Sequence, residues 1–177
     1  NRYRYYWITY TMKPQVNLKP RIALFEPRIP QNTGTIGRSC LAFNMSLDII
    51  KPTGFSFEDK YLKRAGLDYW PYVDVHLYES FEDYKNSFKN SRIIALTKKS
   101  GNSISNIIYK ETDILLFGRE DTGLPDNVMN NCEVVAGIPM PGGENKLKAG
   151  GVRSLNLSVA CGIVCYSACL QLNLLSK

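Results

Sequence analysis

Short apolar runs alternate with stretches that are apolar only at helical spacing, and this rhythm predicts most of the secondary structure. Residues 22–25, 47–50, 73–77, 92–96, 114–117 and 133–138 read as strands. Between them, 33–43 reads as a helix with Ile36, Cys40 and Phe43 on its apolar side. A polar helix is expected over 58–65, ended by Gly66, with further helices over 81–88 and 126–131. The stretch 102–109 fits neither pattern. Apolar residues recur at helical spacing from Leu155 to Leu174, which predicts a long final helix. Strands and helices in alternation define an α/β chain: a mostly parallel sheet with helices on both faces.

One strand stands apart. Ile114–Phe117 is apolar throughout, as suits burial on both faces. It stops at Gly118, and Arg119, Glu120, Asp121, Thr122, Gly123, Leu124 and Pro125 follow. A buried strand that ends in a glycine-bracketed polar turn presents backbone amides and a few charges at the carboxyl end of the sheet, where α/β proteins bind ligands.

The length of 177 residues suits one domain with a sizeable core. With 44% hydrophobic and 21% charged residues, the composition is that of an ordinary soluble protein. No apolar run approaches the length that crosses a bilayer, so no membrane association is expected. The first residues, Asn1-Arg-Tyr-Arg-Tyr-Tyr-Trp, lack the apolar core of a signal peptide. Five cysteines, an odd number without a C-x-x-C pair, argue against a disulfide framework and against a zinc site. Cys161, Cys165 and Cys169 share one helix face and read as small core residues. Reduced thiols fit a cytoplasmic compartment, with a eukaryotic organelle as the alternative. His76, the single histidine, falls within a strand and reads as structural.

The net charge of +6 has a position. Up to Arg38 there are seven bases and one acid, Glu26, and beyond it bases and acids cancel. Residues 1–20 therefore form a basic extension interleaved with Tyr3, Tyr5, Tyr6, Trp7 and Tyr10, able to grip phosphates and stack on bases, and expected to be poorly ordered. Residues 21–177 form the domain. Neither a G-x-G-x-x-G nor a G-x-x-x-x-G-K-[ST] pattern is present, which argues against a Rossmann dinucleotide site and a P-loop. Polar groups gather instead in three late turns: 118–125, the turn after Ile138-Pro139-Met140, and Arg153-Ser154-Leu155-Asn156.

Those turns join an early segment, Asn32-Thr-Gly-Thr-Ile-Gly-Arg38, and Lys60-Tyr-Leu-Lys-Arg-Ala-Gly-Leu-Asp-Tyr69. With Ala95-Leu-Thr97, Leu116-Phe-Gly-Arg-Glu-Asp-Thr-Gly-Leu-Pro125, Ile138-Pro-Met140 and Arg153-Ser-Leu-Asn-Leu-Ser158, they occur in a fixed order. On these residues the chain resembles the SPOUT superfamily of knotted S-adenosylmethionine-dependent RNA methyltransferases, most closely the YibK/TrmL type of tRNA 2′-O-ribose methyltransferase. The resemblance runs from Arg21 to about Leu172.

The resemblance implies a C-terminal trefoil knot, a homodimer, and 2′-O-methylation of the wobble nucleotide, C or U, in the anticodon stem-loop of tRNA. It implies that S-adenosylmethionine lies against Leu96, Gly118, Ile138 and Ser154, with no metal. It places Arg38 and Tyr166 near the reacting groups. A guanidinium stays protonated near neutral pH, so Arg38 is expected to clamp a phosphate and stabilise negative charge while Tyr166 orients the hydroxyl or relays its proton. Asn32, Glu120 and Asn156 are expected to organise the loops around the site. Arg28, Lys60, Lys63, Arg64, Lys146, Lys148 and Arg153 are candidate RNA contacts. Residues 141–152 are longer than the turn expected there, and the paired glycines at each end suggest a lid carrying Lys146 and Lys148. Two other readings stand beside this one: a knotted RNA-binding protein without activity, and a methyltransferase acting at another RNA position.

Overall fold

Apolar residues with alternate side chains on opposite faces produce a six-stranded sheet, every neighbouring pair of which runs parallel. A computed structural model describes residues 19–57, 68–141 and 154–175. The strands are β1 (Arg21–Phe25), β2 (Leu47–Ile50), β3 (Val75–Tyr78), β4 (Ile93–Leu96), β5 (Ile114–Phe117) and β6 (Val134–Ala136). Their order across the sheet is β3-β2-β1-β5-β4-β6. The helices among the described residues are α1 (Pro30–Phe43), α2 (Phe81–Ser87), α3 (Asp126–Met129) and α4 (Leu157–Gln171), with single 3-10 turns at Trp70–Tyr72 and Ile104–Asn106.

Period-two alternation divides the core between the two faces. Ile22, Leu24, Leu47, Ile49, Ile94, Leu96, Leu115 and Phe117 pack on one side against α1 and α4. Ala23, Phe25, Ile50, Ile93, Ala95, Ile114 and Leu116 point the other way, onto Tyr84 and Phe88 near α2 and Val128 of α3. Helices therefore cover both faces, as the strand–helix rhythm predicts. Four cysteines, Cys40, Cys161, Cys165 and Cys169, are buried where α1 meets α4, and all five are free thiols. Burial lifts the Cys40 thiol well above its ordinary value.

Element ends differ from the sequence expectation for identifiable reasons. α1 starts three residues earlier than predicted because Pro30 at its first turn needs no hydrogen-bond acceptor and has its φ pre-set. It ends at Asn44, in the left-handed region at φ 52°, with the Met45 amide closing back onto the Cys40 carbonyl. β3 begins at Val75 rather than Val73, whose amide is held by the 3-10 turn at Trp70. α4 begins at Leu157 because the Asn156 side chain caps it, accepting from the Ser158 amide at 2.8 Å. Its far end is pinned by Gln171, which accepts from the Tyr109 amide and donates to the Ile107 carbonyl. The expected helix at 58–65 and residues 1–18 lie outside the described residues.

Polar stabilisation collects where the strands begin. Arg21 makes a two-pronged contact with fully buried Asp48, at 2.7 and 2.6 Å, and Tyr84 donates to the same carboxylate at 2.8 Å. Asp113, also fully buried, receives two hydrogen bonds from Arg92 and one from the Lys110 amide. A buried carboxylate deprived of its partner would be strongly destabilising, so these pairs lock the lower edge of the sheet.

Candidate functional site

Register sets the site at the opposite edge. Leu96 lies opposite Phe117 across one ladder and opposite Ala136 across the other. Thr97, Gly118 and Gly137 therefore leave the sheet at one level, with neighbouring strands about 5 Å apart. Above them is a cleft of about 580 Å³, within the range that holds a small-molecule ligand. Its floor is apolar, made by Leu96, Phe117, Leu124, Ala160 and Val164. Ile29, Met140 and Leu155 stand exposed around it, and Lys98 and Lys99 line one side.

Two glycines allow the backbones to close in. A Cβ on Gly118 would sit 2.3 Å from the Gly123 carbonyl carbon and 2.4 Å from the Leu124 nitrogen. A Cβ on Gly137 would sit 2.5 Å from the Thr97 carbonyl oxygen. The turn 119–123 is closed by paired backbone hydrogen bonds between Arg119 and Gly123, and Gly123 takes φ 73°, which suits only glycine there without strain.

Glu120 joins this turn to the rest of the site. Its carboxylate accepts from the Arg28 amide at 2.8 Å, the Ile29 amide at 3.1 Å and the Asn32 side chain at 3.2 Å. It thus supplies an anion to the N-terminus of α1, which has no side-chain cap of its own. Asn32 in turn accepts from the Asn156 side chain at 3.0 Å, and Asn156 accepts from both the amide and the hydroxyl of Ser158. A single hydrogen-bonded chain therefore fixes the β5 turn, the start of α1 and the start of α4 against one another.

Beside it lies a set of charges. Arg119 binds Asp121 through two nitrogens, at 2.9 and 2.8 Å, and approaches Glu26 at 3.6 Å; Arg28 approaches Glu26 at 3.3 Å. The hydrogen bond from Arg119, aided by the Thr122 amide, holds the Asp121 carboxyl well below the usual carboxylate range. Three carboxylates face two guanidiniums here, leaving this side of the cleft slightly negative.

Leu96, Gly118, Ile138 and Ser154, brought together by the resemblance, all line the cleft. Asn32, Glu120 and Asn156 line it too, in the hydrogen-bonded chain just described. Arg38, Tyr166 and Arg28 do not line it. Arg38 is exposed on α1, with its guanidinium over the Tyr69 ring, and Tyr166 is exposed on α4. The candidate RNA contacts Lys60, Lys63, Arg64, Lys146, Lys148 and Arg153 lie outside the described residues, as does all but the first residue of the expected lid at 141–152. Sequence reasoning overlooked Lys98 and Lys99. The signal was present: two consecutive lysines directly after the end of a predicted buried strand.

This geometry has close relatives. The sequence profile of the SpoU rRNA Methylase family matches residues 19–166. A Yersinia pestis protein named tRNA (cytidine(34)-2′-O)-methyltransferase is 41% identical over 156 residues, covering 85% of this chain and 93% of its own. A Methylovorus glucosotrophus protein of the same name is 38% identical over 150 residues, covering 85% and 94%. A solved structure described as giving insights into the 2-OH methylation of C/U34 on tRNA superposes with a TM-score of 0.80. It is 39% identical, covering 88% of this chain and 97% of its own. An AdoMet-bound rRNA methyltransferase from Sinorhizobium meliloti superposes with a TM-score of 0.76 at 25% identity, covering 89% of this chain and 57% of its own.

Proposed function

The chain belongs to the SpoU rRNA methylase family, and from that premise we propose that it is an S-adenosylmethionine-dependent tRNA methyltransferase acting on the 2′-hydroxyl of the wobble nucleotide, position 34. The observation that carries the proposal is the cleft at the ends of β4, β5 and β6, which gathers Leu96, Gly118, Ile138 and Ser154. The cleft suits the donor. Its volume and apolar floor fit an adenosine, the turns supply backbone donors and acceptors, and no phosphate cradle is needed because the donor has no phosphate. When bound, the donor supplies an electrophilic methyl group on a sulfonium sulfur.

This chain's residues position the acceptor. A ribose hydroxyl is a weak acid, so negative charge develops on its oxygen as the methyl arrives. Arg38, permanently protonated, holds a phosphate and stabilises that charge; the Tyr166 hydroxyl orients the nucleophile and passes its proton on. Arg38 and Tyr166 act as catalytic residues from outside the cleft of their own chain, which calls for a second copy. We therefore also propose a homodimer with the RNA site shared between subunits. Its support is α4, where Val159, Ile163, Tyr166 and Leu170 form an apolar stripe at helical spacing and are 50%, 38%, 52% and 55% exposed. The C-terminal trefoil knot belongs to the same proposal.

The test is direct. Purified protein with S-adenosylmethionine and tRNA is expected to form 2′-O-methylcytidine or 2′-O-methyluridine at position 34, detected by nucleoside mass spectrometry. No product from a folded protein, together with no donor binding by calorimetry, would overturn the reading in favour of an RNA-binding protein without activity. Product at another nucleotide would reassign the target.

A further inference from the structure

The two sides of the cleft differ in charge. On the β5 side Arg119 and Arg28 are already engaged by Glu26 and Asp121. On the β4 side Lys98 and Lys99 are exposed and line the cleft, and among the described residues no carboxylate pairs with either. A polyanion approaching the mouth therefore meets attraction on one side only.

The turn that holds these lysines is firmly set. The Thr97 amide donates to the Ala136 carbonyl and the Lys99 amide to the Thr97 hydroxyl. Ser100 and Asn102 side chains both donate to the Val135 carbonyl, and the Gly137 amide returns to the Asn102 carbonyl. The absence of a side chain on Gly137 lets Thr97 approach. Two ammonium groups are thus mounted on a fixed backbone next to Gly118, and less order is lost when they grip a ligand than on a loose loop.

We infer that Lys98 and Lys99 form a phosphodiester-binding rim that holds the RNA backbone beside the target nucleotide. Phosphate is the fitting chemistry because a lysine ammonium binds it as a point charge without demanding a planar partner. The exposed apolar groups of Ile29, Met140 and Leu155 offer the neighbouring surface on which a base can rest. This assignment deepens the proposed function and rests on it for the identity of the RNA.

The experiment uses the full chain and an anticodon stem-loop RNA, with binding followed by fluorescence anisotropy from 0.05 to 0.3 M salt. Each lysine that neutralises a phosphate contributes a salt slope of about 0.7 in log–log form, so the double variant K98Q/K99Q is expected to lose about 1.4 of that slope and about tenfold in affinity near 0.15 M salt. K98R/K99R is expected to retain both. Donor affinity, measured by calorimetry on the same preparations, separates a grip on RNA from one on the donor, because both lysines line the donor cleft. Unchanged RNA affinity and slope in K98Q/K99Q would overturn the assignment. So would a loss of donor affinity with RNA binding intact, since the lysines would then hold the donor's carboxylate. Failure of the methyltransferase reading is separately visible, as wild-type protein that binds RNA and transfers no methyl group.

Discussion

The Arg38 guanidinium lies over the face of Tyr69, 5.5 Å from the ring centre, and the Tyr69 hydroxyl donates to the Gly34 carbonyl at 3.1 Å. Both contacts are to α1, one turn apart, so the ring lies along the helix and limits where Arg38 can point. The next residue, Trp70, is buried against Gly37, where a Cβ would meet its ring at 2.5 Å. The pair Tyr69–Trp70 thus docks on the stretch of α1 that presents Arg38.

Replacing the ring tests this relationship. Tyr69→Leu is expected to lower kcat/KM for tRNA about two- to fivefold, the worth of an exposed cation–π contact, with donor affinity unchanged. Tyr69→Phe keeps the ring face and is expected to retain most activity. Equal kinetics for Leu and wild type would show that Arg38 needs no help from the ring.

Glu120 gives a larger effect. Glu120→Ala leaves two backbone amides and the Asn32 side chain without their acceptor. The expected cost is about 1–3 kcal/mol, read as a fall in Tm of roughly 2–12 °C for a chain of this size. Donor affinity is expected to fall with it. Glu120→Gln keeps an acceptor oxygen and is expected to fall between. Full donor binding and full Tm in Glu120→Ala would show that the hydrogen-bonded chain does not organise the cleft.

Gly118→Ala is expected to abolish measurable donor binding while the sheet remains folded by circular dichroism. The added carbon meets backbone rather than a movable side chain, so the turn at Gly123 and Leu124 has to open. Donor binding within twofold of wild type would mean that the turn opens at little cost.

Gly162 sits within the exposed stripe of α4, and among the described residues a Cβ there meets nothing within 4 Å. Gly162→Leu should therefore leave the single chain folded, and helix propensity favours it by up to about 1 kcal/mol. Sedimentation is expected to show wild type as a dimer and this variant as a monomer without methyl transfer. A variant that stays dimeric would place the interface elsewhere.

Acid reports on Asp74. It accepts from His76 at 2.9 Å and from the Ser46 hydroxyl at 2.6 Å. The His76 hydrogen bond above all, opposed by partial burial and aided by Ser46, holds its carboxyl down to about 2. An unfolded aspartate titrates near ~3.9. A depressed folded value means that the stabilisation is complete above about pH 4 and is lost as pH falls from about 4 to about 2. In urea denaturation the advantage of wild type over Asp74→Asn is expected at pH 5 and to shrink toward zero by pH 2. A gap independent of pH would assign it to packing instead.

Strand identity was legible because a strand buried on both faces must be apolar along its length, as Ile114–Phe117 is. Its polar turn was legible as a ligand site because Gly118 and Gly123 interrupt that run at a defined place. The partnerships were not legible. Nothing local in Glu120 points to α1, because its acceptor role depends on amides far away in the chain. The same holds for Arg119, whose neighbour Asp121 engages it only through the turn geometry. Arg38 and Tyr166 entered through the resemblance alone, and a single chain leaves both outside the cleft.

The chain Glu120–Asn32–Asn156 joins residues 88 and 124 positions apart in sequence. Such contacts form only after the intervening polypeptide has found its place, since closing long loops comes late and slowly. The central pairing of the sheet, Arg21 opposite Ile114, spans a separation as long as that of Glu120 and Asn32, so the β5 turn closes onto α1 together with the sheet, and only the contact to Asn156 reaches further. Donor binding consequently reports the docking of the final helix as well as the sheet, and in urea the loss of S-adenosylmethionine binding is expected to coincide with the loss of circular dichroism.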